Sequence, residues 1–262
     1  MILTRLGNKR RMKTDLAKYF PKHRMRIELF FGAGGSYFYL PQPKYAIVND
    51  LDDDVTNLYM LIQNDIECLK QEIEKVPISE SLIKYWKQNQ ETDPVKKAVR
   101  FLLLSNFSYM GKGDTLRAGL DNAKTNILKN MYETFKKLQN VKIMNRDFRE
   151  VLPAISFSKG LNDKEEAFVY LDPIYFGTEH YYRVPKWNAK DTTDCLDIML
   201  NCGIKSAMSE FDHPFVIAEA EKRGLNVIFL RERANIKNRR VEILITNYQI
   251  KQGSFDFKMN LT

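Results

Sequence analysis

The sequence has little cysteine and no long apolar run, and both features narrow the class of protein. Its three cysteines, Cys68, Cys195 and Cys202, lie far apart and form no CxxC pair. This spacing predicts free thiols in a reducing cytoplasm, with no disulfide framework and no metal site. No apolar run reaches the length that crosses a bilayer. The opening MILTRLGNKRRMK is too basic for a secretory signal. We therefore expect a cytoplasmic protein with no membrane partner.

Positive charge is abundant and clustered. The formal net charge is +8 and the pI is about 9.2. The basic residues gather in the segments NKRRMK, DPVKKAVR, KGDTLR and RERANIKNRR. Clustered Lys and Arg side chains are typical of a surface that neutralises phosphates. A basic but otherwise ordinary enzyme is the alternative interpretation.

Apolar periodicity predicts alternating strands and helices. Residues 52–76 have the spacing of one helix, and residues 212–224 that of another, ended by Gly224. The predicted strands are residues 25–31, 44–50, 141–148, 167–172, 203–212, 225–231 and 241–248. This alternation indicates a mostly parallel α/β sheet. The mainly helical residues 56–140 are predicted to form an insertion between a catalytic domain's two parts, 1–55 and 141–262.

Two segments near the start of the predicted sheet favour an adenosine-containing cofactor. In FFGAGG, Gly32 and Gly34 allow a tight turn and a close approach of a ligand to the backbone. Tyr37 stands where a dinucleotide fingerprint needs its third glycine, which disfavours a nicotinamide or flavin cofactor. Asp50 ends the next strand, where a carboxylate can accept hydrogen bonds from both ribose hydroxyls. Asp50 as a helix cap is the alternative.

The segment AFVYLDPIY places Asp172, Pro173 and Tyr175 just beyond a buried strand. The exocyclic amine of a base is a poor nucleophile because its lone pair is delocalised into the ring. The Asp172 carboxylate and the Pro173 carbonyl can each accept one of its hydrogens, and Tyr175 offers a face for stacking a flipped base. A turn followed by core aromatics is the alternative interpretation.

Several motifs, in order along nearly the whole chain, resemble the Dam-like DNA adenine-N6 methyltransferases of the alpha arrangement. The similar segments are TRLGNKRRMKTDLAKYFP, IELFFGAGGSYF, YAIVNDLDDDVTNLYMLI, NRDFREVL, LDPIY and VEILITNY. The resemblance implies a Rossmann-like S-adenosylmethionine-dependent methyltransferase sheet with a mostly helical target-recognition insertion. It further implies methyl transfer to N6 of adenine in double-stranded DNA, with base flipping and without a metal.

The resemblance also assigns residues. It implies that Asp172, Pro173 and Tyr175 are catalytic. The implied cofactor-binding residues are Arg5, Lys9, Phe30, Gly32, Gly34, Asp50, Asp147, Phe148 and Asp172. The implied DNA contacts are Lys112 and Arg117 in YMGKGDTLR, and Arg233, Lys237 and Arg239 in RERANIKNRR. A solvated hairpin is the alternative for RERANIKNRR. The segment YFGTEHYY is a candidate flap over the target base.

Two positions depart from the family pattern. Ile174 replaces the second proline of Asp-Pro-Pro-Tyr, so a backbone restraint is lost while the contacts of Asp172, Pro173 and Tyr175 stay available. Arg5 replaces an aromatic residue near the cofactor, and its guanidinium is a candidate partner for the cofactor's carboxylate.

Three alternative functions remain open. They are methylation of cytosine N4 or of RNA, a catalytically silent DNA-binding homologue, and a nicotinamide oxidoreductase. For the methyltransferase we expect a monomer, and a restriction endonuclease as its partner in the cell.

Overall fold

The computed structural model of the protein describes residues 2–5, 9–108, 122–158, 163–178, 184–234 and 239–250. The strands are β1 (Met25–Glu28), β2 (Tyr45–Asn49), β3 (Val141–Met144), β4 (Ala167–Leu171), β5 (Lys205–Phe211), β6 (Asn226–Ala234) and β7 (Arg239–Thr246). The α-helices are α1 (Lys13–Tyr19), α2 (Gly35–Tyr39), α3 (Asp53–Asn64), α4 (Ile66–Lys75), α5 (Glu80–Gln88), α6 (Pro94–Phe107), α7 (Ala123–Leu138), α8 (Phe148–Val151), α9 (Ala189–Asn201) and α10 (Pro214–Lys222). A 3-10 turn, Lys9–Met12, precedes α1. Among the helices of the described ranges, none has the length and apolar character that crossing a membrane requires.

One sheet organises these elements, with the strand order β3-β2-β1-β4-β5-β7-β6. The pairs β1–β2, β1–β4, β2–β3 and β4–β5 are parallel, and β7 runs antiparallel to both β5 and β6. The predicted mostly parallel α/β fold is therefore confirmed. The chain moves outward from β1 to β3 and then returns to β4 on the other side of β1. In open sheets, the crevice outside the carboxyl ends of the strands at such a reversal is where ligands bind.

The seven predicted strands correspond to the seven observed ones, with ends that differ by a few residues. The strand predicted at residues 141–148 is shorter, because it ends at Met144 and Phe148 begins a helix. Residues 52–76 are helical as predicted, but they form two helices, α3 and α4, with a break at Asp65. The Asp65 backbone is not helical, and its carboxylate accepts a hydrogen bond from the Cys68 N–H at 3.3 Å. A side chain that caps a new helix in this way competes with continuation of the old one.

Buried side chains cover both faces of the sheet in three clusters. The first joins β2 to helices α3, α4, α6 and α7, and includes Val48, Leu58, Leu69, Leu102 and Met131. The second joins the central strands to α9 and α10, and includes Ile27, Val169, Leu196, Met208, Ala220 and Ile243. The third packs the turn before α1, and α1 itself, on β4 and β7, and includes Met12, Leu16, Phe168, Tyr170 and Leu244. Helices on both faces therefore leave the carboxyl edge of the sheet as the place for a site.

Helices α3–α7 lie between β2 and β3 in the chain, within the residues predicted to form an insertion. They share the first cluster with residues of the sheet. The Gln63 amide donates hydrogen bonds to the carbonyls of Leu138 at 2.6 Å and Val141 at 2.8 Å, and the Tyr37 hydroxyl donates to the Lys137 carbonyl at 3.0 Å. The described part of the segment is thus packed on the sheet, and its division from the sheet at residues 56–140 stays a prediction.

The shared core makes a test of stability possible. Leu102 in α6 is fully buried, whereas Leu200 in α9 is 50% exposed. Leu102→Ala should reduce the free energy of unfolding by about 2–5 kcal/mol, since it leaves a cavity in the first cluster. Leu200→Ala should cost about 0.5 kcal/mol or less. Urea denaturation followed by circular dichroism and by tryptophan fluorescence measures both; two separate transitions would contradict a common core.

Candidate active site

A buried ion pair marks the point where the strand order reverses. Asp172 directly follows β4, and Lys9 lies in the 3-10 turn that the third cluster holds against the sheet. The Lys9 Nζ lies 2.6 Å from Asp172 Oδ1, and the Lys9 side chain is only 2% exposed. A cation this deeply buried needs a close partner of opposite charge. The ammonium therefore holds the Asp172 carboxylate at this position.

Tyr175 is held on three sides. Its hydroxyl donates a hydrogen bond of 2.8 Å to Glu242 Oε2 on β7. Its ring lies edge-on to Phe211, with 4.7 Å between the ring centres, and the Lys9 Nζ lies 4.7 Å from the centre of the Tyr175 ring. Burial and then the Glu242 charge raise the pKa of the Tyr175 hydroxyl well above its ordinary value. The hydroxyl therefore stays protonated and remains a donor to Glu242.

The next residue is held by a second carboxylate. The Phe176 N–H donates to Glu210 Oε2 at 3.0 Å, and the Phe211 N–H donates to Glu210 Oε1 at 2.8 Å. Burial raises the pKa of Glu210 to about 8, although the two N–H donors and the Lys9 charge act in the opposite direction. The Phe176 ring packs against His213 and Phe215, each with 4.8 Å between ring centres. The segment after β4 is thus attached to β5 and β7.

The glycine turn after β1 adopts the conformation that its sequence predicts. Gly32 and Gly34 have φ values of 52° and 68°, in the left-handed region that favours glycine. A Cβ atom on Gly34 would lie 2.5 Å from the Phe38 ring and 2.9 Å from the Phe31 ring. Gly34 is therefore required both by its backbone conformation and by the packing at the start of α2.

Asp50 is oriented by this turn. The Gly32 N–H donates to Asp50 Oδ2 at 2.6 Å, and the Asp52 N–H donates to Asp50 Oδ1 at 2.9 Å. Burial raises the pKa of Asp50, while Arg5 and the two N–H donors oppose that rise. Each carboxylate oxygen has two lone pairs, so a held Asp50 can still accept from the hydroxyls of a ligand. Asp52, and not Asp50, caps α3 by accepting from the Asp54 N–H at 3.1 Å.

Three aromatic rings form a wall at the carboxyl edge of the sheet. Phe30 lies 5.1 Å from Phe148 and 5.7 Å from Trp187, and Phe148 lies 5.7 Å from Trp187, all measured between ring centres. Asp147 precedes Phe148 and pairs with Arg149 at 3.0 Å. Phe30 and Trp187 are only half-buried, so part of the wall stays open to a planar ligand.

Arg5 is engaged with the protein itself. Its guanidinium contacts Asp52 Oδ2 at 2.6 Å and lies over the Phe101 ring at 5.7 Å. The contact of Arg5 with a cofactor's carboxylate therefore stays a prediction, and it requires a group shared with Asp52.

A further carboxyl lies inside the sheet near Asp172. Glu28 ends β1 fully buried, and the Ser36 hydroxyl donates to its Oε2 at 2.6 Å. Arg26 lies 3.8 Å from Glu28 Oε1. Burial raises the pKa of Glu28 to about 7, against the charge of Arg26 and the Ser36 hydrogen bond, and Asp172 adds to the rise.

The structure brings the predicted catalytic and cofactor-binding residues to one edge of the sheet. The residues at this edge follow one of the strands β1–β4 in the chain or pack against residues that do. They are Lys9, Phe30, Gly32, Gly34, Asp50, Asp147, Phe148, Asp172, Pro173 and Tyr175. Of the predicted DNA contacts, Lys112, Arg117 and Lys237 lie outside the described residues. Arg233 and Arg239 lie in the β6–β7 ladder, opposite Arg240 and Ala234, and only their backbone is described. The candidate flap YFGTEHYY is described only as far as Thr178.

Sequence reasoning missed four residues that shape this edge: Glu28, Glu210, Glu242 and Trp187. The three glutamates carried a usable signal, because each is a charged residue inside an otherwise apolar strand, as in RIELFF, SAMSEF and VEILIT. A charge buried in a strand is rare unless it has partners. Trp187 carried no such signal, since its partners Phe30 and Phe148 are distant in sequence.

This arrangement agrees with a match to a family model. The model of the D12 class N6 adenine-specific DNA methyltransferases matches residues 6–252. The chain belongs to this family. The sheet described above is therefore the Rossmann-like sheet of a methyltransferase, as the motifs predicted.

Individual relatives are more distant. The Type II methyltransferase M.MjaIII of Methanocaldococcus jannaschii is 26% identical over 200 residues, which cover 64% of this chain and 66% of that relative. The chain thus spans just under two thirds of that relative's length. Solved structures with a similar course of the chain include the N-terminal domain of human METTL16 in complex with SAH, with 11% identity, a TM-score of 0.38 and coverage of 91% of this chain and 68% of that one. Another is the tRNA (m1A58) methyltransferase TrmI from Aquifex aeolicus, with 7% identity, a TM-score of 0.39 and coverage of 95% and 73%.

Gly34 and Gly224 provide a matched pair for testing the glycine turn. Both have a φ of 68°, but a Cβ on Gly224 would meet no atom within 4 Å. Replacement of either by alanine strains the backbone, and only Gly34→Ala also forces a clash. We expect Gly34→Ala to lower the free energy of unfolding by about 1–3 kcal/mol more than Gly224→Ala does. Equal losses in urea denaturation would show that packing does not require glycine at position 34.

The buried glutamates predict how stability depends on pH. Unfolded, Glu28 ionises near 4.5, whereas the folded protein keeps its pKa at about 7. Between these values the folded state binds more protons, so its stability should fall as the pH rises from about 5 to 8. Glu210 contributes in the same direction. Glu28→Gln should make the fall smaller by an amount on the order of 2 kcal/mol.

Urea denaturation at several pH values between 5 and 8.5 measures this slope. The exposed Glu221 in α10 supplies the control, since Glu221→Gln should leave the slope unchanged. An identical slope in the Glu28→Gln protein would contradict the raised pKa.

Proposed function

We propose that the protein transfers a methyl group from S-adenosylmethionine to N6 of adenine in DNA. The observation that carries this proposal is the Asp172 carboxylate, held 2.6 Å from the buried Lys9 at the point where the strand order reverses. Membership of the D12 class N6 adenine-specific family supports the choice of base and of DNA.

The chemistry proposed for Asp172 and Pro173 is polarisation of the target amine. The Asp172 carboxylate accepts a hydrogen bond from one N–H of the amine, and the Pro173 carbonyl accepts one from the other. These two hydrogen bonds increase the electron density on the nitrogen. Lys9 holds Asp172 in place for this role, through the contact of 2.6 Å between Lys9 Nζ and Asp172 Oδ1. Catalysis in this scheme consists of positioning the amine and polarising it.

The residues present fit the proposed cofactor. Asp50 offers both carboxylate oxygens from a position that the Gly32 and Asp52 N–H groups fix. Phe30, Phe148 and Trp187 offer flat apolar surface for an adenine ring, and the tight turn at Gly34 brings the backbone close. When bound, S-adenosylmethionine supplies the electrophilic methyl group.

Contact with double-stranded DNA is proposed for the basic segments. Lys112 and Arg117, within residues 56–140, would touch the target sequence, and Arg233, Lys237 and Arg239 would bind phosphates. The target adenine would leave the helix and stack near Tyr175. The name of one relative, a Type II methyltransferase, supports a role in restriction and modification.

Removal of the Asp172 carboxylate should remove one of the two acceptors that polarise the amine. In Asp172→Ala the rate of methyl transfer should fall by at least about 100-fold, as when a group that stabilises the reacting atoms is lost. The measurement uses labelled S-adenosylmethionine, DNA of mixed sequence, digestion to nucleosides and chromatography. Asp197, a carboxylate in α9 that is 48% exposed, is the control, and Asp197→Ala should keep the wild-type rate.

The same chromatogram separates the alternatives. Label in N4-methylcytosine, or label incorporated only from RNA, would overturn the choice of adenine in DNA. A wild-type protein that retards DNA in a gel but transfers no methyl group until Ile174→Pro is introduced would be a silent homologue. Calorimetry that shows binding of NAD and not of S-adenosylmethionine would favour an oxidoreductase.

A further inference from the structure

Two buried glutamates hold consecutive residues of the segment that carries the proposed catalytic groups. Glu242 on β7 accepts from the Tyr175 hydroxyl at 2.8 Å, and Glu210 on β5 accepts from the Phe176 N–H at 3.0 Å. Both glutamates are fully buried. Glu210 and Glu242 are called the glutamate pair below.

The glutamate pair approaches this segment from opposite faces of the sheet. The antiparallel register places Glu242 opposite Phe211 and Glu210 opposite Ile243. Opposed residues share a face and successive residues along a strand alternate, so Glu210 and Glu242 project to different faces. The segment therefore crosses the carboxyl edge with Tyr175 held on one face and Phe176 on the other.

The two hydrogen bonds at Tyr175 and Phe176 also restrain the backbone of the residues just before them. Asp172 and Pro173 lie between the end of β4 and Tyr175, so both ends of that short stretch are fixed to the sheet. Ile174 leaves the ψ angle of Pro173 less confined than a proline at position 174 would. Attachment through Tyr175 and Phe176 limits the same rotation from the far side.

We propose that Glu242 and Glu210 are positioning residues that aim the Asp172 carboxylate and the Pro173 carbonyl at the target amine, in place of the restraint that a proline at position 174 would give. This rests on the proposed function. The glutamates act through Tyr175 and Phe176 and touch neither base nor cofactor. A displacement of about 1 Å at a reacting group lowers a rate by about 100-fold, so such a restraint has a measurable effect.

A graded set of variants tests the hydrogen bond to Tyr175. Glu242→Met keeps the size of the side chain and removes the acceptor, and Glu242→Gln keeps an acceptor. On DNA of mixed sequence, kcat should fall about 10- to 100-fold in Glu242→Met and about 3-fold or less in Glu242→Gln. The affinity for S-adenosylhomocysteine, measured by calorimetry, should change less than 2-fold in both. Glu221→Met, the same exchange at an exposed position of α10, is the control for kcat.

Tyr175→Phe removes the hydrogen bond from the other side and serves if Glu242→Met does not fold. Combined with Glu242→Met, it should lower kcat less than 2-fold further, because both changes break one contact. Ile174→Pro should raise kcat of the Glu242→Met protein about 5-fold or more. A Glu242→Met protein with wild-type kcat, or one that Ile174→Pro does not improve, would overturn the proposal.

A readout that needs no activity separates this proposal from the proposed function. With 3-fluorotyrosine incorporated, the ¹⁹F signal missing in Tyr175→Phe identifies residue 175. That signal should shift and broaden in Glu242→Met and return in Glu242→Gln. In the Ile174→Pro double variant it should become sharp again but stay shifted, because the acceptor of the hydroxyl is still absent. An inactive wild-type protein with this behaviour would refute only the proposed function; an unchanged signal in Glu242→Met would refute the positioning role.

Discussion

Burial of ionisable side chains at the carboxyl edge of the sheet is the constraint on which the rest of the site depends. Glu28, Glu210 and Glu242, all fully buried, gather with the partly exposed Asp172 near the ends of β1, β4, β5 and β7. Charges removed from water persist only with close partners. The Lys9 ammonium pairs with Asp172 at 2.6 Å, and its charge opposes the rise that burial causes in the pKa of Glu210. The packing of the turn before α1 on the sheet therefore helps to hold the carboxyl groups at this edge.

The carboxyl groups at this edge are oriented mostly by hydrogen bonds from backbone N–H groups. Asp50 accepts hydrogen bonds from the N–H groups of Gly32 and Asp52. Glu210 accepts from the N–H groups of Phe176 and Phe211, and Glu242 accepts from the Tyr175 hydroxyl. A hydrogen bond to a buried carboxylate is both stronger and more costly to break than one in water. The hydrogen bonds within the protein thus organise this edge.

The sequence predicts the parts of this arrangement that are local. Apolar runs locate seven strands, FFGAGG predicts its left-handed turn, and Asp50 and Asp172 each follow a strand as expected. Periodicity does not predict the break at Asp65, because the apolar positions of residues 52–76 keep a helical spacing across it. One capping side chain, that of Asp65, starts a new helix there. Glu210 and Glu242 escape prediction for a different reason: their partners lie 34 and 67 residues away. The parallel pairing of β4 with β5 brings Glu210 to the segment after β4, and the antiparallel insertion of β7 beside β5 brings Glu242 there. No local pattern encodes either pairing.

Ile174 shows why hydrogen bonds between residues distant in sequence matter for this site. A proline restrains its neighbour locally, through sterics that operate in the folded and the unfolded chain alike. The hydrogen bond from Phe176 to Glu210 requires that β4 and β5 are paired, and the hydrogen bond from Tyr175 to Glu242 requires that β7 is also paired with β5. A chain with Ile174 therefore couples the geometry of Asp172 to the stability of the β5–β7 ladder. Damage to that ladder would reach Asp172 and Pro173 through the Tyr175–Glu242 hydrogen bond, whereas a second proline would leave part of the restraint in place.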